Sequence, residues 1–177
     1  MELNAWTQNL RQHYDQAIRY YQNGGRDAQA CFGPAEKEAL AAIGLKPVNV
    51  LDYAEDWVGS QEPDWDTFLL TAAVRRDYFF HEQDGKPNPN ELEAKDLPGR
   101  KETLGNFEWL PRIMAKARCF LEGGLCHDIM YGCGGDRHFL KTHGLHPADF
   151  LRVIWAARGD EAKVLAFVQK AATGNSA

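Results

Sequence analysis

The same pattern of helix-stopping and helix-starting residues occurs twice in this chain, and it restricts the fold more than any other feature. Leu40, Gly44, Leu45, Pro47 and Leu51 return one hundred residues later as Leu140, Gly144, Leu145, Pro147 and Leu151. Glycine ends a helix well because it adopts the left-handed conformation, and proline suits the first position of the next helix. Each copy therefore predicts a helix, a tight turn and a second helix. Two explanations stay open: an ancient duplication giving two similar three-helix units, or one favourable turn sequence used twice.

Apolar spacing predicts helices in most of the remaining chain. Trp6, Leu10, Tyr14, Ile18 and Tyr21 recur at intervals of three or four residues, which is the pattern of one buried helix face. No alternating run of strand length is present. The sequence therefore predicts an all-α fold, a single helical domain of about eight helices. We place them at 5–21, 34–44, from Pro47, from Pro63, from Pro111 to Gly123, and at 136–143, 147–158 and 160–172.

Prolines, glycines and charged residues interrupt the helical pattern between Gln83 and Glu108. A stretch of this length without regular structure is typical of a linker or of a loop that covers a site. We therefore divide the chain into an N-terminal helical part (1–82), this loop (83–108) and a C-terminal helical part (109–177). A chain of 177 residues is short enough for the three parts to form one compact domain.

Composition excludes several classes of protein. The net charge of −5 and the pI of about 5.7 argue against a nucleic-acid-binding protein, which needs a basic face. No apolar run approaches the roughly 20 residues that a membrane helix requires, and no signal peptide is expected from the acidic N-terminus. The spacing of the four cysteines is not that of a secreted disulfide framework. We expect reduced thiols and a cytoplasmic protein.

Most of the reactive side chains fall between Cys119 and Asp149, which holds four of the six histidines and three of the four cysteines. Cys133 lies between glycines just before a predicted helix, where a thiol can act as a nucleophile and a substrate can approach the backbone. His127 or His138 is the candidate base, and Asp128 or Asp136 would orient the imidazole. The alternative is a structural cysteine that is buried beside a helix capped by Asp136.

A second group of residues predicts an anion site. Arg112 and Lys116 are four residues apart near the start of one helix, where the first amides and the helix dipole also favour anions. Arg118, Tyr131 and Arg137 complete the candidate substrate-binding set, and the expected ligand is a small anionic molecule. The alternative is a solvated polar helix face.

No cofactor is predicted, although a divalent metal is chemically feasible. Its ligands would be His127, Cys133, Asp136 and His138. No Cys-x-x-Cys pair is present, and His143 and His146 lie on either side of a glycine cap, so the spacing is not that of a zinc site.

From Asp96 onward the chain resembles an uncharacterised bacterial family, domain of unknown function 5069. The resemblance is carried by Asp96-Leu-Pro, by the stretch from Leu104 to Arg118, by Tyr131-Gly-Cys-Gly-Gly-Asp136, by Gly144-Leu-His-Pro147 and by Gly159-Asp160. It implies a helical domain over about 96–172 and supplies no activity, while 1–95 resembles an extension found in a longer subgroup. His127-Asp128 and Gly134-Gly135 depart from the commoner family pattern.

These observations favour a small cytoplasmic enzyme that uses a Cys/His/Asp site on an anionic metabolite, as a thiol-dependent or metal-dependent hydrolase or lyase. The competing interpretation is a helical module that binds a ligand or a protein without turnover. An accessible, reactive thiol would favour the enzyme, and inert thiols would favour the module.

Overall fold

The computed structural model describes residues 5–89, 92–124 and 129–174. The chain folds into two compact units, Met1–Asn88 and Pro89–Ala177. Within the described residues the fold is predominantly α-helical, as predicted. None of the helices there is long and apolar enough to cross a membrane.

From residue 5 onward the first unit contains five helices, four of which the sequence predicted. They are α1 (Ala5–Gln22), α2 (Ala28–Cys31), α3 (Pro34–Ala41), α4 (Pro47–Ser60) and α5 (Trp65–His81). The sequence did not predict α2, because a single turn is too short to show a periodic pattern. The Asp27 carboxylate caps this turn by accepting a hydrogen bond from the Gln29 amide at 2.8 Å. Helix α5 begins two residues after the predicted Pro63, because Asp64 caps it by accepting from the Thr67 amide at 2.9 Å.

The core of the first unit is built on aromatic rings. Helix α1 packs against α4 through its buried face, which includes Leu10, Tyr14 and Ala17. The Tyr14 and Phe68 rings stack with centroids 5.2 Å apart, and Tyr53 lies 4.7 Å from Phe68. These rings are large and fully buried, so they contribute much of the apolar area that stabilises this unit.

Over 92–124 and 129–174, the second unit contains a small hairpin and four α-helices. The elements are a 3₁₀ turn (Ala94–Asp96), β1 (Thr103–Leu104), β2 (Phe107–Glu108), α6 (Leu110–Glu122), α7 (Gly134–Thr142), α8 (Pro147–Ala157) and α9 (Glu161–Gly174). Each helix lies within a few residues of its predicted position. Helix α6 packs against α8 and β1, and α8 packs against α9.

The hairpin corrects the expectation of an unstructured segment before Glu108. Thr103 pairs with Glu108 and Leu104 with Phe107 in antiparallel register, and the Trp109 amide extends the pairing to the Glu102 carbonyl at 3.1 Å. Gly105 turns the chain with φ of +60°. Two-residue strands are too short for alternation to be visible in the sequence.

Part of the helical pattern of the first unit recurs in the second with a shift of one hundred residues. Helices α3 and α7 begin at 34 and 134, and α4 and α8 begin at 47 and 147. The turns between them carry the same bond, because the Leu45 amide donates to the Leu40 carbonyl at 3.0 Å and the Leu145 amide to the Leu140 carbonyl at 2.8 Å. Five identical buried pairs follow the shift: Leu10/Leu110, Ala17/Ala117, Leu40/Leu140, Leu45/Leu145 and Leu51/Leu151. The correspondence therefore extends back to α1 and α6, beyond the region where the sequence pattern was evident.

The turn glycine of the first unit provides a test of why this pattern needs glycine. Gly44 has φ of +75°, and a Cβ there would lie 2.6 Å from the Phe79 ring. Gly24 has φ of +89° with open space around it. We expect Gly24→Ala to cost about 1 kcal/mol, the strain of a left-handed alanine, and Gly44→Ala to cost about 1–2 kcal/mol more from overpacking. Urea unfolding of both variants measures the difference in their free energies of unfolding. If the two substitutions cost the same, contact with Phe79 is not a reason for glycine at position 44.

Candidate functional site

The first turn of α7 is organised around a carboxylate that has no contact with solvent. Asp136 is 0% exposed and stands at the third position of the helix, while Cys133 is the N-cap residue. One carboxylate oxygen, Oδ1, accepts from Trp109 Nε1 at 2.9 Å. The other, Oδ2, accepts from Lys116 Nζ at 2.5 Å and from the Gly132 amide at 2.9 Å. Three donors thus offset the loss of hydration that burial imposes on this charge.

The lysine that faces Asp136 comes from the middle of α6. The Lys116 side chain is 4% exposed, and its ammonium also donates to Cys133 Sγ at 3.1 Å. Burial of an ammonium is tolerated only when it is paired and hydrogen-bonded, and here both requirements are met. Cys133, Lys116 and Asp136 therefore form one polar cluster, which we call the thiol centre.

Trp109 links the thiol centre to the hairpin. It precedes α6 with φ of 74°, a left-handed conformation that is rare for an aromatic residue. The edge of its indole lies over Gly135, where a Cβ would come within 2.5 Å of the ring. The sequence predicted that the glycines around Cys133 let a substrate approach the backbone, whereas at Gly135 that space is filled by Trp109. Strained backbone of this kind is often found at functional sites.

The other residues of the predicted anion site point in different directions. Arg112 donates to the Pro98 carbonyl at 2.7 Å, with its guanidinium 5.7 Å from the centre of the Trp109 ring. Arg118 pairs with Glu161 of α9 at 3.4 Å. Arg112 and Lys116 lie on one helix, as their spacing predicted, but Lys116 turns into the core and does not present a cation beside Arg112.

Tyr131 and Arg137 hold the loop that carries Cys133. The Tyr131 hydroxyl donates to the Pro147 carbonyl at 2.7 Å, and its ring stacks on Phe120. Arg137 donates to the Gly132 carbonyl at 2.8 Å. The first contact ties Tyr131 to the start of α8 and the second holds the carbonyl of Gly132, so both fix the two residues that precede the cysteine.

The histidines are divided between the described and the undescribed chain. His127 and Asp128, the candidate base and its partner, lie outside the described residues together with Cys126. His138 is exposed and lines a cavity beside α7. Among residues 5–89, 92–124 and 129–174, no three His, Cys, Asp or Glu side chains are grouped in a way that could hold a metal ion. The metal hypothesis depends on His127 and is left as a prediction.

The cavity beside α7 has a volume of about 380 Å³. Phe107 and Phe139 approach His143 edge-on, with ring centroids 5.0 and 4.7 Å from the imidazole. Burial lowers the pKa of His143 below its usual 6.5. The residues that line the cavity are 106–109, Gly135, His138, Phe139, Thr142 and His143.

The thiols of the chain differ in their surroundings. Cys31, Cys119 and Cys133 are free cysteines. Burial raises the pKa of Cys31 to about 11, and burial with the nearby Glu122 carboxylate raises that of Cys119 to about 11. Both thiols therefore stay protonated near neutral pH, and Cys133 differs from them in having an ammonium beside its sulfur.

The corresponding positions of the first unit lack this chemistry. Shifted by one hundred residues, Lys116, Cys133 and Asp136 become Gln16, Gly33 and Glu36. The half-buried Gln16 amide donates to the Cys31 carbonyl at 2.8 Å, so one neutral hydrogen bond stands where Lys116 makes two charged ones. The thiol centre is therefore specific to the second unit.

One comparison with known proteins found a match, and it covers the part of the chain that holds the thiol centre. Residues 95–177 match the family described as Domain of unknown function (DUF5069). The predicted resemblance is confirmed. The DUF5069 region contains Trp109, Lys116, Cys133 and Asp136, so the whole thiol centre falls inside it, and residues 1–94 lie outside the match. Searches of the curated proteins and of the solved structures found no match.

Proposed function

We propose that the DUF5069 region is the catalytic part of a thiol-dependent enzyme that acts on a small anionic metabolite. The observation that carries the proposal is the 3.1 Å contact between the Lys116 ammonium and Cys133 Sγ. An ammonium at this distance stabilises negative charge on sulfur when the thiol acts as a nucleophile. Cys133 is only partly buried, so a small electrophile can reach it.

The backbone around Cys133 suits a reaction in which negative charge develops on the substrate. The first hydrogen bond of α7 runs from the Arg137 amide to the Cys133 carbonyl at 2.9 Å. The amides of Gly134 and Gly135 precede it, so they have no acceptor within the helix. Amides at a helix N-terminus stabilise an oxyanion or a substrate carboxylate. In this scheme the Cys133 sulfur forms a bond to a carbonyl carbon of the substrate while the electron pair of the C=O π bond moves onto oxygen. These amides hold the resulting oxyanion until the carbonyl re-forms and the leaving group departs, which leaves an acyl group on sulfur for water to release.

The neighbouring side chains have positioning roles in this scheme. Asp136 fixes Lys116, and Lys116 holds the sulfur, so Asp136 orients an ammonium rather than an imidazole. His127 with Asp128 stays our candidate for the base, since neither His138 nor another described histidine contacts the sulfur. Arg137, which donates to the Gly132 carbonyl, brings a positive charge next to the loop that carries Cys133.

A second candidate function is a ligand-binding module without turnover. It is favoured by the hydrogen bonds of Asp136, all of which are internal and are therefore sufficient to explain the cluster as a structural one. The reactivity of Cys133 separates the two candidates, because a structural thiol has no reason to react faster than its buried neighbours.

Thiol alkylation of the full chain tests the proposed nucleophile. At pH 8 we expect iodoacetamide to modify Cys133 at least about tenfold faster than Cys31 and Cys119, whose raised pKa values of about 11 keep them protonated. Peptide mapping by mass spectrometry assigns each rate to its residue.

Two alanine variants serve as controls for this measurement. Cys119→Ala should leave the fast phase intact, and Cys133→Ala should abolish it. If Cys133 reacts as slowly as Cys119, the binding module becomes the better account. Metal analysis of the same preparation tests the metal-site alternative. Stoichiometric metal in the unsubstituted protein that is lost in His127→Ala would assign the Cys/His residues to a metal site.

The proposal also includes a cellular location and a class of substrate. We place it in the cytoplasm because Cys31, Cys119 and Cys133 are all unpaired thiols, which suits a reducing compartment. The acidic net charge of −5 favours a small-molecule substrate over a nucleic acid.

A further inference from the structure

The cavity between the hairpin and α7 is a second concave site, with chemistry different from that of the thiol centre. Its walls include three aromatic side chains: Phe107 from β2, Trp109 from the start of α6 and Phe139 from α7. Its volume of about 380 Å³ is within the range of small-molecule sites.

These walls are held in place before any ligand arrives. The Trp109 indole is fixed by its hydrogen bond to Asp136 and by contact with Gly135. Phe139 is 5% exposed, and the His143 imidazole touches both Phe107 and Phe139 edge-on. A preformed site loses little conformational entropy on binding, so even a small ligand gains affinity from it.

Among the residues that line the cavity, Glu108 is the carboxylate and His138 is an exposed imidazole, and the described lining contains neither lysine nor arginine. The Arg112 guanidinium lies 5.7 Å from the centre of the Trp109 ring without being part of the lining. Burial lowers the pKa of His143, which keeps this imidazole neutral near pH 7. A carboxylate beside aromatic rings is complementary to a cation, because the faces of aromatic rings attract positive charge.

We propose that this cavity binds a small organic cation, an ammonium group carried on an apolar or aromatic body. The apolar body lies against Phe107, Trp109 and Phe139, and the ammonium faces Glu108. Binding at this site requires neither a reactive Cys133 nor turnover, so this proposal can be tested independently of the enzyme proposal.

Three probes of one size and different charge test the inference on the full chain. They are benzylamine, which is a cation at pH 7, benzyl alcohol, which is neutral, and benzoate, which is an anion. Binding is followed through the indole N–H signals of the five tryptophans by ¹⁵N NMR, with the Trp109 signal assigned from Trp109→Phe. We expect benzylamine to bind about threefold or more tighter than benzyl alcohol and about tenfold or more tighter than benzoate.

Two variants at exposed lining positions locate the site without disturbing the core. Glu108→Gln should weaken the binding of benzylamine by about threefold and leave the binding of benzyl alcohol unchanged. Asp149→Asn, which removes an exposed carboxylate on α8, should change the binding of neither probe. Thr142→Trp fills the cavity from its rim and should weaken both probes. The inference is overturned if none of the probes shifts the Trp109 signal, if benzyl alcohol or benzoate binds as tightly as benzylamine, or if Thr142→Trp has no effect.

Discussion

Replacing Lys116 with methionine is expected to destabilise the chain by about 3–5 kcal/mol, because it leaves a buried carboxylate without its cation. Asp136 is 0% exposed and cannot recover its hydration in the folded state. Methionine fits the space of the lysine stem, so little of the loss comes from packing. Urea unfolding followed by circular dichroism measures the change, and the same variant should remove the fast alkylation of Cys133 under conditions where the protein is still folded.

The repeat supplies a matched control for this substitution. Gln16 occupies the equivalent position in the first unit, and its amide makes one hydrogen bond, to the Cys31 carbonyl. Gln16→Met should cost only about 1 kcal/mol, the usual worth of a neutral bond. The double variant Lys116→Met/Asp136→Asn should recover part of the loss, since it removes both charges and keeps an acceptor for Trp109. If both single variants cost the same, the Lys116–Asp136 pair is not the centre that we describe.

Most of the helical fold could be predicted from the sequence because its signals are local. Pro34, Pro47 and Pro147 stand at the first position of α3, α4 and α8, and Gly44 and Gly144 adopt the left-handed conformation that ends the preceding helices. The elements that were missed, α2 and the hairpin, are one turn and two residue pairs long. Elements of that size carry no periodic signal.

The thiol centre was only partly predictable because its contacts are not local. Cys133 and Asp136 were identified from their position ahead of a helix. The spacing of Arg112 and Lys116 indicated a shared face, but spacing cannot show that Lys116 turns into the core to meet a carboxylate 20 residues further along the chain. Trp109 falls in the stretch that carries the family resemblance, but nothing in the sequence indicated its role, since its partner is 27 residues away and its left-handed backbone is unusual for tryptophan.

The two units together suggest how the ionic centre is tied to the fold. Both units keep the same helices and buried leucines with Gln16 or Lys116 at the equivalent position, so the fold does not need the ion pair. A buried ion pair is seldom a net source of stability compared with well-packed apolar groups. Its presence in the unit that also carries Cys133 therefore favours a role in chemistry or specificity over a role in folding, which is the argument for testing reactivity first.

Replacing Gly135 with alanine is expected to have the second largest effect, although alanine normally strengthens a helix. The added Cβ would lie 2.5 Å from the Trp109 ring. The indole cannot move away without breaking its bond to Asp136, and the loss of a hydrogen bond to a charged group costs about 1.5–3 kcal/mol. Overpacking adds about 1–3 kcal/mol, so we expect a destabilisation of about 3 kcal/mol or more. The displaced Trp109 should also abolish benzylamine binding in the adjacent cavity.

Gly134→Ala is the control that separates the loss of glycine from the clash with Trp109. The neighbouring glycine is exposed, and its nearest contact for a Cβ is the end of the Arg137 side chain at 3.9 Å. Alanine there should be neutral or stabilise the protein by about 0.5–1 kcal/mol, because it restricts the unfolded chain. Unfolding midpoints and the Trp109 indole N–H signal distinguish the two variants. A tolerated Gly135→Ala with an unshifted signal would mean that Trp109 does not pack on α7, and the link between the cavity and the thiol centre would then be lost.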